Sequence, residues 1–293
     1  MDVDLTELRK HTIDRILVKQ DDAYRWGYDK KQAFERPEYL YYSPNFKSTL
    51  WTLLLLAEIK APVDVLQLNP SIRLITERFY DSENGIFGLP GKTRFPIPCL
   101  NGNMIYLHQY FETSQSEILD RTIRFFAAYQ RFDDGDFKTP KSYPYCSNIF
   151  CYGKHTCYWG VTKLLKGISF IPKIQRTKEA QKLIENCIDF VLQHEVCFSS
   201  HKSGEFLHPD IGKLAFPNFY KSDFLEILWL LAREAVHDEK MSRSLDLLRS
   251  KMKNGGFWEL EKSMNIVVSI GQKDCANAFI TERATEVLDY YGY

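Results

Sequence analysis

The sequence predicts an all-α protein, and two observations carry that prediction. Apolar residues recur mostly at intervals of three and four, which is the period of one helix face, and the apolar-polar alternation of strands is scarce. Nine stretches show the helical period, and we expect helices at about 47–59, 67–79, 100–112, 117–130, 156–169, 178–194, 221–235, 240–252 and 277–291.

Five of these helices begin in the same way, with small or polar residues followed by apolar ones. The starts read Lys47-Ser-Thr-Leu-Trp, Cys99-Leu-Asn-Gly-Asn, His155-Thr-Cys-Tyr-Trp, Lys221-Ser-Asp-Phe-Leu and Asn277-Ala-Phe-Ile-Thr. They lie at positions 47, 99, 155, 221 and 277, and are therefore spaced by 52, 56, 66 and 56 residues. This period fits one helical hairpin plus a connecting loop, so the chain is interpreted as a helical repeat.

A second repeated element lies in the loops after helices. It places an acidic residue or Asn, a Gly and an aromatic residue close together, in Asp81-Ser-Glu-Asn-Gly-Ile-Phe-Gly, Gln130-Arg-Phe-Asp-Asp-Gly-Asp-Phe and Lys253-Asn-Gly-Gly-Phe-Trp. Glycine permits the left-handed turn that ends a helix, and we expect the aromatic residue to pack back on the repeat. For this reason Asp133-Asp134-Gly135-Asp136 is interpreted as a turn in preference to a metal or diphosphate motif.

Length and composition bound the domain organisation and exclude some partners. The chain has 293 residues and is 44% hydrophobic, with 38 basic and 38 acidic residues. We expect an N-terminal helical extension over 1–40 and a single domain over 41–293. The balanced charge gives no electrostatic footprint for nucleic acid. The longest apolar run, Leu50–Ala57, is too short to span a bilayer, so no transmembrane segment is expected.

Cysteine usage favours a reducing compartment. Seven cysteines are an odd number, and the charged N-terminus has no apolar export signal, so we expect reduced thiols and a cytoplasmic protein. Cys187 and Cys197 are interpreted as core residues. The four single histidines His108, His194, His201 and His208 are interpreted as surface or capped residues.

The densest group of metal-ligating residues is Cys146-x4-Cys151-x3-His155-x-Cys157. Three thiols and an imidazole within twelve residues favour a metal site over thiols that only line a pocket, although the spacing fits no standard zinc finger. Cys157 is two residues past His155, which on a helix turns it by about 200°, so packing is favoured over ligation for this residue.

With these two repeated patterns, the chain resembles members of the α/α-toroid superfamily, which contains the protein prenyltransferase β subunits and the squalene and terpene cyclases. The turn that begins at Gln130 is similar to the Gln-x-x-Asp-Gly-Gly-Phe/Trp repeat of that superfamily, and the resemblance covers about residues 40 to 291. It implies an (α/α) toroid or partial barrel of five to six helical hairpins, in which parallel inner helices bring Lys47, Cys99, His155 and Asp223 to one rim.

His155-Thr-Cys-Tyr is similar to the stretch of protein farnesyltransferase β subunits whose histidine binds catalytic zinc. In those enzymes an Asp-x-Cys pair opens an earlier inner helix. Here Cys99 matches the cysteine but Ile97 replaces the aspartate, so Cys146 or Cys151 is expected to supply the missing ligand. The expected cofactor is zinc, held by Cys99, Cys151 and His155, with Cys146 or Cys157 as the next candidate.

The resemblance implies a prenyltransferase- or terpene-cyclase-like enzyme acting on a hydrophobic, isoprenoid-like substrate, with or without a partner subunit. Cationic side chains near the rim are expected to bind a diphosphate, with Trp159 in the cavity wall and Asp223 and Tyr220 as candidate catalytic residues. The cationic set is Lys47, Lys92, Arg94 and Lys221. Two alternatives stay open: zinc-dependent thiol chemistry of the lanthionine-cyclase kind, and a non-catalytic toroid that binds a lipid or protein partner.

Overall fold

The computed structural model describes residues 4–27, 46–65, 67–89, 94–136, 138–147 and 149–293, which form eleven α-helices and one short antiparallel hairpin. The helices are α1 (Leu5–Leu17), α2 (Thr49–Glu58), α3 (Leu68–Phe79), α4 (Pro98–Tyr110), α5 (Ser116–Tyr129), α6 (Ile149–Tyr152), α7 (Tyr158–Ser169), α8 (Lys178–Gln193), α9 (Phe224–Arg233), α10 (Ser242–Ser250) and α11 (Ala278–Tyr291). The hairpin pairs β1 (Tyr80–Asp81) with β2 (Ile86–Phe87). The predicted all-α class is confirmed.

All nine predicted helices are present, with ends within three residues of the expected ones. The difference that matters most is at α7, which begins at Tyr158 and leaves His155 outside the helix. The Thr156 backbone N–H donates to the Asp133 carbonyl at 3.4 Å, and Cys157 keeps an extended conformation as the N-cap. The segment before α7 is therefore held against the neighbouring turn instead of continuing the helix.

Two kinds of helix alternate along the chain. All ten residues of α2 are buried, and in α7 every residue except Trp159 is buried. By contrast, α8 buries one face, which includes Leu183, Cys187 and Phe190, and exposes the other. A helix that is apolar on all sides packs inside a protein, whereas an amphipathic helix covers it.

The chain divides into two compact units. The first consists of Met1–Arg78, Lys213–Phe219 and Asp246–Tyr293, and the second consists of Phe79–Gly212 and Tyr220–Leu245. The N-terminal part of the first unit contains α1, which lies within the predicted helical extension. The predicted single domain over 41–293 stays a prediction.

Within the second unit, glycine allows α4 and α7 to approach closely. A Cβ atom on Gly102 would lie 2.1 Å from the Lys163 carbonyl oxygen, and a Cβ atom on Gly167 would lie 2.6 Å from the Gly102 carbonyl oxygen. Helix α7 also packs against α8 and α9, and α5 packs against α8. The buried α7 is therefore the central element of this unit.

Charged side chains lie at the centre of the second unit. Lys163 and Lys166, both on α7, have no solvent exposure, and their ammonium groups contact the carboxylate of Glu226 at 2.5 and 2.8 Å. The Lys166 ammonium also lies 4.3 Å from the centre of the Tyr106 ring. Buried charges persist only where they are paired, so this group fixes how α7 and α9 pack.

Aromatic packing and a buried ion pair hold the first unit together. The rings of Trp51 and Phe219 lie 5.2 Å apart, and Phe216 stacks on Phe279 at 5.0 Å. The Arg283 guanidinium donates to Glu58 at 2.7 Å, where both side chains are largely buried.

The positive φ expected at the glycines of the three repeated turns is confirmed, since Gly85, Gly135 and Gly255 have φ values of 70°, 102° and 104°. These glycines do not end the helices, however, because the preceding helices end at Phe79, Tyr129 and Ser250. None of the described helices combines the length and the apolar character needed to cross a membrane.

Candidate metal site

The turn that carries Asp134 is fixed by a buried arginine. The Arg131 guanidinium makes two hydrogen bonds of 2.7 Å to the carboxylate of Asp133. It also donates to the carbonyl oxygens of Gly153 at 2.8 Å and Lys154 at 3.2 Å. One side chain thus ties the turn after α5 to the segment that leads to His155.

His155 lies directly over the glycine of this turn. A Cβ atom on Gly135 would stand 2.5 Å from Cε1 of the His155 ring. Glycine is required here for two reasons, since the position combines this close approach with a φ of 102°. The imidazole is therefore placed beside Asp134, and its Nδ1 atom lies 3.5 Å from the Asp134 carboxylate.

A second histidine reaches the same carboxylate from the loop after α8. His201 Nε2 lies 3.0 Å from Asp134 Oδ2, and the neighbouring Ser200 hydroxyl donates to the same oxygen. The rings of His155 and His201 are 5.6 Å apart, and their side chains are 51% and 58% exposed, against 13% for Asp134. Two solvent-accessible imidazoles therefore flank one shielded carboxylate.

The surroundings of Asp134 favour its ionised form. Burial alone would raise the pKa of this carboxyl group, but the hydrogen bond from Ser200 and the charges of His194 and His201 lower it below its ordinary value. An ionised carboxylate is the form that binds a metal ion.

The geometry of this group fits a divalent metal ion. One ligand atom each from Asp134, His155 and His201 lies within 4.8 Å of the other two, and no other described set of three or more Asp, Glu, His or Cys residues meets this distance. Ligands of a tetrahedral zinc ion lie roughly 3.4 Å from one another. His155 Nδ1 lies 3.5 Å from Asp134 Oδ1, and His201 Nε2 lies 3.0 Å from Asp134 Oδ2. Each separation is close to that value, although the two involve different oxygens of the carboxylate. A carboxylate with two imidazoles suits zinc and other first-row divalent metals.

The predicted thiol ligands lie elsewhere in the second unit. Burial raises the pKa of Cys151, and the thiols of Cys99 and Cys157 add to this effect, so each of the two lies close enough to Cys151 to act on its titration. Cys99 is in the first turn of α4, Cys157 is the N-cap of α7, and Cys146 is exposed. None of these cysteines shares the 4.8 Å group with His155. Zinc ligation by thiols stays a prediction, whereas His155 lies beside Asp134 and His201.

Three of the predicted substrate and catalytic residues do come together. The Lys221 ammonium lies 4.6 Å from the centre of the Trp159 ring and 6.0 Å from that of Tyr220. It also lies 3.8 Å from the carboxylate of Asp210, and Tyr220 is 37% exposed. The start of α7 and the segment before α9 thus place a cation near two aromatic rings.

The remaining predicted residues occupy separate positions. Asp223 is buried as the N-cap of α9, where its carboxylate accepts the Glu226 N–H at 2.8 Å. Arg94 donates to the Tyr80 carbonyl at 3.1 Å. Lys47 is half-buried in the first unit, and Lys92 lies outside the described residues.

Sequence reasoning missed two of the three members of the candidate site. Asp134 was assigned to a turn, which is correct for its backbone, but its carboxylate also faces the histidines. His201 was interpreted as a surface residue; it is exposed and nevertheless contacts Asp134. The usable signal is that the acidic turn at 133–136 and the segment that contains His155 lie in the same connection between α5 and α7, whereas nothing local marks His201.

Comparison with known proteins gives no further assignment: no protein-family model matches the chain, and no curated protein is significantly similar to it.

Proposed function

We propose that the protein is a zinc-dependent enzyme whose metal ion is held by Asp134, His155 and His201. The observation that carries the proposal is the convergence of these three side chains within 4.8 Å. Three protein ligands leave one position of a tetrahedral ion for water or substrate, as in catalytic zinc sites. Zinc in such a site supplies Lewis acidity or lowers the pKa of a bound donor.

For the reaction class we retain the prenyltransferase- or terpene-cyclase-like chemistry on an isoprenoid-like substrate, within an α/α toroid. The alternation of fully buried and amphipathic helices supports a two-layered helical repeat of this kind. In the cluster of Trp159, Tyr220 and Lys221, the two aromatic rings would contact the apolar chain of such a substrate, and the Lys221 ammonium would bind its diphosphate group.

A non-catalytic toroid is the second candidate, and one observation favours it. The side chains at the centre of the second unit are buried, down to the ion-paired Lys163, Lys166 and Glu226 with no exposure. A packed interior without a substrate cavity is typical of a non-catalytic scaffold, and zinc would then have a structural role in holding the loops of its ligands together. Chemistry of the lanthionine-cyclase kind is less well supported, since it requires two thiolates and a histidine on one zinc ion and His155 lies with Asp134.

Metal analysis of matched variants tests the metal set. We expect about one zinc per chain in purified or zinc-reconstituted protein, loss of zinc in Asp134→Ala and His155→Ala, and retention in Cys99→Ala with Cys151→Ala. His11→Ala is the control, because it removes an exposed histidine that is distant in sequence from the three proposed ligands. Zinc that survives loss of Asp134 but disappears with the thiols would overturn the proposed ligand set.

The reaction class has its own test. The zinc-loaded protein is incubated with farnesyl diphosphate, and bound ligand and released pyrophosphate are measured. We expect binding that weakens in Lys221→Ala and Trp159→Ala, and turnover that requires Asp134. Zinc binding without isoprenoid binding or turnover would favour the non-catalytic candidate.

A further inference from the structure

The loop that carries His201 leaves α8 through a strained reversal of the chain. Helix α8 ends at Gln193, and the residues at 195 and 196 that follow its C-cap have positive φ. The φ values are 43° for Glu195 and 72° for Val196. Glycine is the usual residue in this conformation at a helix end, and a β-branched residue adopts it only where its surroundings enforce it. The reversal at 195–196 is therefore held by contacts with other parts of the chain.

Two hydroxyl groups from neighbouring helices make these contacts. The Ser244 hydroxyl on α10 donates to the Glu195 carbonyl at 2.8 Å, and the Tyr158 hydroxyl donates to the Val196 carbonyl. Tyr158 is the first residue of α7 and is 9% exposed, and Val196 is fully buried. Both left-handed residues thus have their carbonyl groups fixed by a side chain. Because a buried carbonyl group needs a hydrogen-bond partner, loss of the phenol would disfavour this conformation.

The reversal leads directly into a narrow hairpin at 197–207. The Ser199 N–H donates to the Glu205 carbonyl at 2.9 Å, and the two sides of the hairpin run antiparallel. The Ser199 hydroxyl accepts the His201 N–H at 3.3 Å, which orients the tip of the hairpin. The position of His201 therefore depends on the direction in which the chain leaves Val196.

Tyr158 also belongs to the segment that carries His155. It follows His155 by three residues, and Cys157 between them has an extended conformation. The phenol therefore joins the start of α7, to which His155 leads, to the base of the hairpin that carries His201. One hydrogen bond thus connects two histidine-bearing segments that are far apart in the sequence.

We infer that Tyr158 is a positioning residue of the metal site, which holds the reversal at 195–196 so that His201 meets Asp134. This inference rests on the proposed zinc site. Tyr158 supplies no ligand atom and acts through the Val196 carbonyl. Groups that orient metal ligands without binding the metal typically change metal affinity by about 10–100-fold when they are removed.

The test removes the phenol hydroxyl from the full-length protein with Tyr158→Phe, which keeps the aromatic ring. Zinc affinity is measured by competition with a chromophoric chelator, and X-ray absorption at saturating zinc counts the imidazole ligands. We expect zinc affinity at least about 10-fold weaker than in the wild type. We also expect one imidazole ligand in place of two, because His201 no longer reaches the ion.

Thr122→Val is the matched control, since it removes another buried hydroxyl of the same unit. Thr122 on α5 is fully buried, and its hydroxyl contacts the Gly85 carbonyl at 3.1 Å. We expect this variant to bind zinc as the wild type does, with two imidazoles. Circular dichroism and thermal unfolding of the metal-free proteins compare their folds. Ser244→Ala acts on the same reversal from α10 and is also expected to weaken zinc binding, so the test holds if Tyr158→Phe does not fold.

Wild-type zinc affinity and two imidazoles in Tyr158→Phe and Ser244→Ala would overturn the positioning role while leaving the proposed zinc site intact. A loss of stability with an unchanged ligand count would also overturn it, because Tyr158 would then serve the fold alone. A wild-type protein that binds no metal would overturn both proposals, so the failures are distinguishable.

Discussion

Replacing Gly135 by alanine should disable the metal site although none of the proposed ligand residues is substituted. A Cβ atom on Gly135 would lie 2.5 Å from Cε1 and 2.7 Å from Nδ1 of His155. Ordinary contact between such atoms needs about 3.5 Å, so the imidazole must retreat by roughly 1 Å. Metal-ligand distances tolerate only about 0.2 Å, and His155 is therefore lost as a ligand. We expect Gly135→Ala to weaken zinc binding at least about 10-fold, or ~1.4 kcal/mol.

Gly255 provides a matched control from another turn of the same repeat. Its φ of 104° is close to the 102° of Gly135, so alanine adds similar backbone strain of about 1–3 kcal/mol at both positions. The nearest atom to a Cβ on Gly255 is a carbon of the Phe257 ring at 3.6 Å, which is an ordinary contact. Any difference in zinc affinity between the two variants therefore reports on His155.

The assay is competition for zinc against a chromophoric chelator, with thermal unfolding of the metal-free proteins as the check on folding. We expect Gly255→Ala to bind zinc as the wild type does. Equal zinc affinities for Gly135→Ala and Gly255→Ala would refute the placement of zinc beside His155.

Three further predictions concern the stability of the second unit. In urea unfolding, Gly102→Ala should destabilise the protein by about 1–3 kcal/mol more than Gly160→Ala does. The new Cβ atom would lie 2.1 Å from the Lys163 backbone in the first variant and 2.8 Å from the Pro98 side chain in the second. Equal losses of stability in the two variants would contradict the close crossing of α4 and α7. Burial lowers the pKa of His108 to about 4, so the unfolded chain binds a proton at a higher pH than the folded one. The free energy of unfolding should therefore fall by up to about 3 kcal/mol as the pH decreases from about 6.5 to 4. In His108→Gln the free energy of unfolding should depend less on pH across that range, and an unchanged pH dependence would count against a buried neutral ring. Glu226→Gln removes the carboxylate shared by Lys163 and Lys166 and should destabilise by about 3–5 kcal/mol in urea unfolding, whereas a loss under 1 kcal/mol would show that the carboxylate is not needed there.

The helices were predictable because their signal is local. In α2 the apolar residues run through most of the helix, and in α8 they repeat on one face, so the apolar pattern locates each element within a few residues. The repeated turns were predictable for the same reason, because glycine at 85, 135 and 255 marks positions of positive φ.

The candidate site was only partly predictable because its partners are distant in sequence. His155 was identified as a metal ligand, but the sequence favoured nearby thiols as its partners. The segment from Gly153 to Cys157 is held by Arg131 and by the Asp133 carbonyl, which turns His155 toward Asp134. His201 reaches the same carboxylate only because the chain reverses after α8, and no local pattern encodes that approach.

The most direct test of the metal assignment is a crystal structure of the zinc-loaded protein with anomalous diffraction data collected at the zinc absorption edge. We predict one strong anomalous peak between the carboxylate of Asp134 and the imidazoles of His155 and His201. A peak among Cys99, Cys151 and Cys157, or no peak in protein loaded with excess zinc, would contradict that assignment.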